Sequence, residues 1–301
     1  MGPYPLYLIA EICLALLPPK LCWWLAERLS DLQCRLNATD RRIVAENLSV
    51  VMGRPVSEHA PEVRDAFRNF GRYLVEFLTA HQLTRFPITA ESREEAARVF
   101  PSGRGTIILS AHVGNWEAGG MILQQWGHQT TALAMEHRDK RVNALFNRQR
   151  TRWGIEVAVL GPGAARQCIS ALKRGHVLGL ISDREFGNNG IEVMFFGHRV
   201  IMPRGPALLS LRTGAPAVPF FVIREGRGKL RFEMEPAIWP SEAASAADPV
   251  LHLTQRYAQT IERSVRKHPT QWLMFQHAFR QNPAVKEVSQ HDALLCRNPR
   301  V

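Results

Sequence analysis

Cysteine is scarce and unpatterned in this chain of 301 residues. The five cysteines (Cys13, Cys22, Cys34, Cys168 and Cys296) are odd in number and contain no CxxC pair. That suits a reduced intracellular setting better than a disulfide framework, and suggests neither a zinc nor a dithiol redox site. Acid is in short supply as well: 27 Asp and Glu face 38 Lys and Arg, for a net charge of +11 and a pI near 10. Such a surplus asks for an anionic partner, whether membrane lipid, acidic protein, phosphorylated substrate or nucleic acid. Nucleic acid is set aside, because no binding motif is present and the basic residues are not interleaved with stacking aromatics.

Long apolar runs are missing too. The segment Tyr4 to Leu29 is apolar and aromatic, yet Glu11, Pro18, Pro19 and Lys20 interrupt it and leave uncharged stretches of under ten residues. A spanning helix wants about 20 mostly apolar residues. The segment has neither the basic start and cleavage site of a signal peptide nor a myristoylation signal after Met1 and Gly2. An interfacial helix broken at the proline pair is expected, with Trp23 and Trp24 at the headgroup boundary. A helix packed on the core and a retained spanning anchor are the alternatives.

Several chemical signatures are also absent. There is no GxSxG elbow, no HExxH, no GxGxxG and no Walker loop; Gly161 to Gly163 carries none of their further residues. His128, His137, His176, His198 and His277 are scattered without ligand spacing, so no metal is expected.

What is present is enough apolar residue, 46%, to bury a sizeable core, most simply in one large domain. The first hundred residues read as helical, and Val63, Phe67, Phe70, Leu74, Phe77 and Leu78 recur at three-and-four spacing. From Thr106 onward, strand-like runs begin at Thr106, Thr131, Ile155, Val177, Val193 and Ala217. They alternate with helical stretches near 115–126, 139–153, 164–174 and 205–212, and a last helix is expected over 249–268. This predicts a layered α/β fold with a mixed, partly parallel sheet flanked by helices, behind an N-terminal helical segment that associates with membrane.

The strongest local signal is the run from Leu109 to Glu117, which holds His112, Gly114, Asn115 and Glu117 just beyond the predicted strand Thr106–Ala111. Five residues is the wrong spacing for one helical face. His112 is therefore expected on the loop at the strand end, with Glu117 in the first turn of the next helix and reaching back. Gly114 permits a sharp turn and Asn115 is a good helix cap. A carboxylate on one imidazole nitrogen leaves the other free as a general base, which is hydroxyl-activation chemistry. Carboxyl ends of strands are where open α/β sheets gather their sites.

The His-x4-Glu run resembles the signature of the lysophospholipid acyltransferase superfamily, and its setting resembles the lipid A biosynthesis (lauroyl/myristoyl) acyltransferase family. The likeness runs in order through Arg41 to Leu48, Phe70 to Arg72 with Glu76, His112 to Glu117, Arg138 to Arg152 and Ser182 to Gly187. It continues through Val193 to Gly197, Pro203 to Ala207, Thr213 to Pro219, His268 to Trp272 and His277 to Arg280. The resemblance implies a fatty acyl transfer from acyl carrier protein or acyl-CoA, as co-substrate and with no further cofactor, to a hydroxyl of an anionic lipid or glycolipid. A lipid A precursor is the leading acceptor; a phosphatidylinositol mannoside or an ornithine lipid is the alternative, and a non-catalytic basic membrane protein is the competing class.

On this reading His112 is the base and Glu117 its orienting carboxylate. Backbone N–H groups at Gly114 and Asn115 face substrate and its developing oxyanion. Arg138 and Arg148 are expected to take acceptor phosphates or the acidic carrier. Asp183 matches a family motif near the catalytic centre; Arg184 stands where glutamine is common, which leaves the acceptor open. The implied division is a membrane-interacting segment over 1–35, an acyltransferase domain over 36–280 and a fraying tail over 281–301. The implied location is the cytoplasmic face of the bacterial inner membrane.

Overall fold

A computed structural model describes residues 4–79, 100, 104–137, 139–185 and 189–279 of the chain. Arg138, Phe186, Gly187, Arg280 and the tail from residue 281 lie outside the described residues. Four helices come first: α1 (Tyr4–Leu16), α2 (Pro19–Leu36), α3 (Ala38–Met52) and α4 (Pro61–Thr79). The sheet region then runs β1 (Thr106–Ser110), α5 (Trp116–Gln125), β2 (Thr130–Ala134), α6 (Lys140–Arg152), β3 (Glu156–Val159), α7 (Ala164–Lys173) and β4 (Val177–Ile181). It continues with β5 (Gly190–Phe195), β6 (His198–Pro203), α8 (Gly205–Thr213), β7 (Ala217–Gly226), β8 (Lys229–Met234) and α9 (Pro249–Lys267).

The main sheet has the order β3-β2-β4-β1-β7-β8. Its first five strands are parallel, and β8 pairs antiparallel with β7 at the edge. Side chains alternate across it. Ile107 and Leu109 join Leu178, Leu180 and Ala217 beneath α7, α8 and α9, while Ile108 joins Val177, Val218 and Phe220 beneath α4, α5 and α6. Both faces are covered, which is why β1 is wholly buried and reads as a continuous apolar run. Every strand read from the sequence is present to within a few residues. Two others, β6 and β8, are added: β6, in a hairpin with β5, has only the short run Val200 to Met202 after His198 and Arg199, and β8, at a sheet edge, alternates charged and apolar side chains.

Helix starts follow their caps. The side chains of Asn37, Asn115, Asp139 and Asp248 each accept a backbone N–H at the start of α3, α5, α6 and α9. The N-terminal segment breaks where the prolines require, between Leu16 and Pro19. One side of α1 packs on the core through Tyr7, Ala10 and Leu14. Its other side leaves Leu8, Ile9, Ile12 and Leu16 exposed. Of the tryptophan pair, Trp24 is half exposed but Trp23 is buried, so the expectation that both are presented outward is corrected for Trp23. No described helix is long and apolar enough to cross a membrane.

Candidate active site

The chain leaves β1 at a fully buried Ala111 and turns sharply before α5 begins. Gly114 makes the turn with φ +64°, and a Cβ there would lie 2.0 Å from the carbonyl oxygen of Val222. The backbone N–H of Gly114 donates to Gln271 O at 2.9 Å, and that of Asn115 to Val222 O at 2.8 Å. The expectation that these two N–H groups face a substrate oxyanion is therefore corrected: both are consumed in holding the turn against β7 and the 269–274 segment. The Asn115 side chain is also engaged, capping α5 through Ala118 N and donating to Glu76 Oε2 at 2.8 Å.

The carboxylate partner of His112 is corrected as well. His112 Nδ1 lies 2.7 Å from Asp183 Oδ1, while the His112 backbone N–H donates to Asp183 Oδ2 at 3.0 Å. The indole N–H of Trp272 adds a bond to the same Oδ2 at 2.9 Å. Glu117 does not reach back. It points from the first turn of α5 to Arg150 of α6, which grips it with Nε at 3.0 Å and Nη2 at 2.5 Å. Geometry decides this: His112 and Asp183 sit at the carboxyl ends of β1 and β4, which are hydrogen-bonded neighbours, whereas Glu117 lies beyond the turn at Gly114.

Burial alone pushes the Asp183 carboxyl up, but the adjacent His112 imidazole, Arg184 and the Trp272 N–H outweigh it and hold the group well below the ordinary carboxylate range. Asp183 is thus an anion whose side chain has no solvent exposure. Its Nδ1 contact fixes the imidazole tautomer with a proton on Nδ1 and a lone pair on Nε2, which has no hydrogen bond to a described residue. The ring is 18% exposed at its side chain and rests edge-on against Trp116, with ring centroids 4.8 Å apart. Such an arrangement can draw a proton from a hydroxyl that reaches Nε2.

Three ties brace the site. Leu273 N donates to His112 O at 2.8 Å, and Arg184 Nη2 donates to Leu273 O at 2.7 Å. Arg224 of β7 grips Glu76 of α4 with Nε and Nη2, both at 2.6 Å, with both side chains almost wholly buried. Arg150 and Glu117 are each only 10% exposed at their side chains. Burial lowers the Arg150 guanidinium, and Glu117 more than reverses that, so its pKa is raised.

The remaining sequence candidates disperse. Arg148 of α6 is about half exposed, and its Nη2 contacts both carboxylate oxygens of Glu11 on α1. Phe195 and Phe196 are buried with Trp272 and Phe279 and serve packing. His128 rests against Phe100, and Glu117 is occupied by Arg150. Among the described residues no group of three or more His, Cys, Asp or Glu comes together to hold a metal ion. Trp272, which closes the matched run His268 to Trp272, and Arg224 are site-building residues left without a role by sequence reasoning; each gains its partner only through the fold.

The profile of the bacterial lipid A biosynthesis acyltransferase family matches residues 4–281. The chain is 30% identical over 244 residues to a phosphatidylinositol mannoside acyltransferase of Mycobacterium tuberculosis, covering 77% of this chain and 74% of that one. It is 26% identical over 245 residues to the enzyme of the same name from Mycolicibacterium smegmatis, covering 76% of each. It is 22% identical over 277 residues to the lipid A biosynthesis palmitoleoyltransferase of Escherichia coli, covering 88% of this chain and 86% of that one. With a match over nearly its whole length, the chain belongs to the bacterial lipid A biosynthesis acyltransferase family and is an acyl-transferring enzyme.

Proposed function

We propose that the enzyme moves a fatty acyl chain from acyl carrier protein or acyl-CoA to a hydroxyl of a glycolipid, with His112 as general base and Asp183 as its orienting carboxylate. The carrying observation is the His112–Asp183 pair, with Nε2 unbonded among the described residues. In this reading the acceptor O–H gives its proton to Nε2 as the oxygen attacks the thioester carbonyl. The tetrahedral intermediate collapses with loss of the thiolate, which takes the proton from the imidazolium. Asp183 stabilises that imidazolium throughout. Arg184 supplies a fixed positive charge beside the pair, and Glu117 acts through Arg150 to set α5 against α6. No metal or cofactor enters the scheme; the acyl donor is a co-substrate.

A phosphatidylinositol mannoside type of acceptor is favoured over a lipid A precursor by the 30% likeness, set against the 22%. The reading places the enzyme on the cytoplasmic face of a bacterial inner membrane. Support comes from α2, which exposes Leu21, Trp24, Leu29, Leu32 and Leu36 beside exposed Arg28 and Arg35. An apolar stripe with cations beside it suits an anionic headgroup layer. The basic exposed side of α6, with Lys140, Arg141, Arg148 and Arg152, is where an acidic carrier protein would dock.

The test is mass spectrometry of total lipid from cells expressing wild type or His112→Ala. The expected result is a glycolipid heavier by one acyl group, found with wild type and absent with the variant. A His112→Ala chain that still makes the product would sink the base assignment.

A further inference from the structure

We propose that Trp272 is a positioning residue, its indole N–H fixing the Asp183 carboxylate so that one oxygen is held for the His112 ring. The inference rests on the reading of His112 as base but adds to it a residue that touches neither substrate nor the imidazole through a hydrogen bond.

The carboxylate of Asp183 has two oxygens with separate duties. Oδ1 meets His112 Nδ1 at 2.7 Å. Oδ2 accepts two donors, the His112 backbone N–H at 3.0 Å and the Trp272 indole N–H at 2.9 Å. With only the backbone donor, the carboxylate keeps freedom to rotate about its own axis and to exchange oxygens. A second donor on Oδ2 removes that freedom and draws negative charge toward it. Trp272 is itself immobilised. It is 3% exposed, its ring lies 6.0 Å from that of Phe195 and 6.1 Å from that of Phe279, and its backbone bridges Val113. The flanking residues bond the same turn, Gln271 O accepting from Gly114 N and Leu273 N donating to His112 O. One short segment therefore holds the backbone of the base and the carboxylate behind it. The segment is fastened in turn by Asn69, which donates to Thr270 O at 2.9 Å, and by Asn47, which donates to Met274 O at 3.1 Å.

Among the described residues the other charged groups around the pair are few. Arg184 stands beside Asp183 and is followed by Glu185 on the same turn. From α5 and α6 come Glu117 and Arg150, closed on each other, and from α4 and β7 come Glu76 and Arg224, likewise closed. The hairpin β5–β6 and the C-terminal segment present Phe195 and Phe279 to Trp272. Loss of the indole donor thus leaves more negative charge on the Asp183 oxygen that faces His112, which favours the protonated, non-basic ring.

The decisive variant is Trp272→Phe, which keeps an aromatic ring and removes the N–H. kcat/KM at neutral pH is expected to fall about tenfold, as for loss of one hydrogen bond to a charged group, and the acid limb of its pH profile is expected to move to higher pH. Phe195→Leu is the packing control: it should lower the thermal midpoint and leave the acid limb in place. A folded Trp272→Phe enzyme with an unmoved acid limb, or a Phe195→Leu enzyme that moves it equally, overturns the proposal. Should Trp272→Phe fail to fold, the indole ¹⁵N–¹H resonance of Trp272 in wild type gives the answer. It should shift through the acid limb of activity, and a resonance that stays still overturns the proposal. His112→Ala run alongside separates the two claims: if it stays active the base reading fails, whereas an inactive His112→Ala beside a normal Trp272→Phe removes only the role of Trp272.

Discussion

Asp183→Asn is expected to lower kcat by about 10³–10⁴-fold while leaving the fold intact, the size of effect seen when an orienting carboxylate becomes an amide. An asparagine matches the volume of Asp183 and can still accept the His112 backbone N–H through its oxygen. What it loses is the charge, and with it both the preference for Nδ1–H and the support for an imidazolium during proton transfer. The amide nitrogen turned toward Nδ1 would even favour the opposite tautomer, placing the proton on Nε2 where a lone pair is required. Glu117→Gln should behave differently, because Glu117 faces Arg150 and not the imidazole. Its effect is expected to be mainly on stability. Turnover numbers for the two purified variants, with far-ultraviolet circular dichroism to check the fold, settle the contrast. The carboxyl of Asp183 is held below its ordinary range in the folded chain. Its contribution to stability is therefore present above the unfolded value of about 4 and is lost as pH falls toward the folded one.

Glu76→Ala carries the largest expected cost in stability. Glu76 accepts two bonds from Arg224 and one from Asn115, and both members of the ion pair are almost fully buried. Removing the acid leaves an uncompensated guanidinium in the interior, at a cost of about 3–5 kcal/mol. For a chain of this size that lowers the thermal midpoint by roughly 10 °C. Glu76→Leu combined with Arg224→Met should recover most of the loss, since neither charge is then stranded. A single Glu76→Ala variant that melts with wild type would show that the network contributes little. The network also has a kinetic side. Asn115 caps α5 directly after the turn at Gly114, so a loosened Glu76 is expected to lower activity further than the loss of folded enzyme explains.

Much of this arrangement was legible before the fold. The strands β1, β4 and β7 are bounded apolar runs, and the cap Asn115 marks a helix start by chemistry that needs only local sequence. His112 stood out because a histidine, a glycine and a capping asparagine follow a buried strand in a few residues. The partner of His112 was not legible in the same way. Asp183 is 71 residues away, and nothing local distinguishes it from Glu117 as the acid that turns toward the ring. The clue lay in topology: two predicted strands end at His112 and Asp183, and a parallel pairing of those strands brings their carboxyl ends together. Sequence does not state strand order, so the nearer acid took the role. The same limit hid the partners of Trp272 and Arg224. It also hid the fate of the N–H groups of Gly114 and Asn115, whose acceptors lie on Gln271 and Val222. Short edge elements such as β8 escaped for a different reason, since alternating Lys, Arg and Glu with Leu, Phe and Met gives a strand no apolar run to mark it.

The unit formed by His112 and Asp183 is tested most directly by a double-mutant cycle on kcat, comparing His112→Ala, Asp183→Asn and the two combined. If Asp183 acts only through the imidazole, removing the carboxylate from an enzyme that has already lost the ring changes nothing. The expected result is a combined variant no slower than His112→Ala alone. Losses that multiply, with the combined variant slower by the product of the two single effects, would contradict a shared role for the pair.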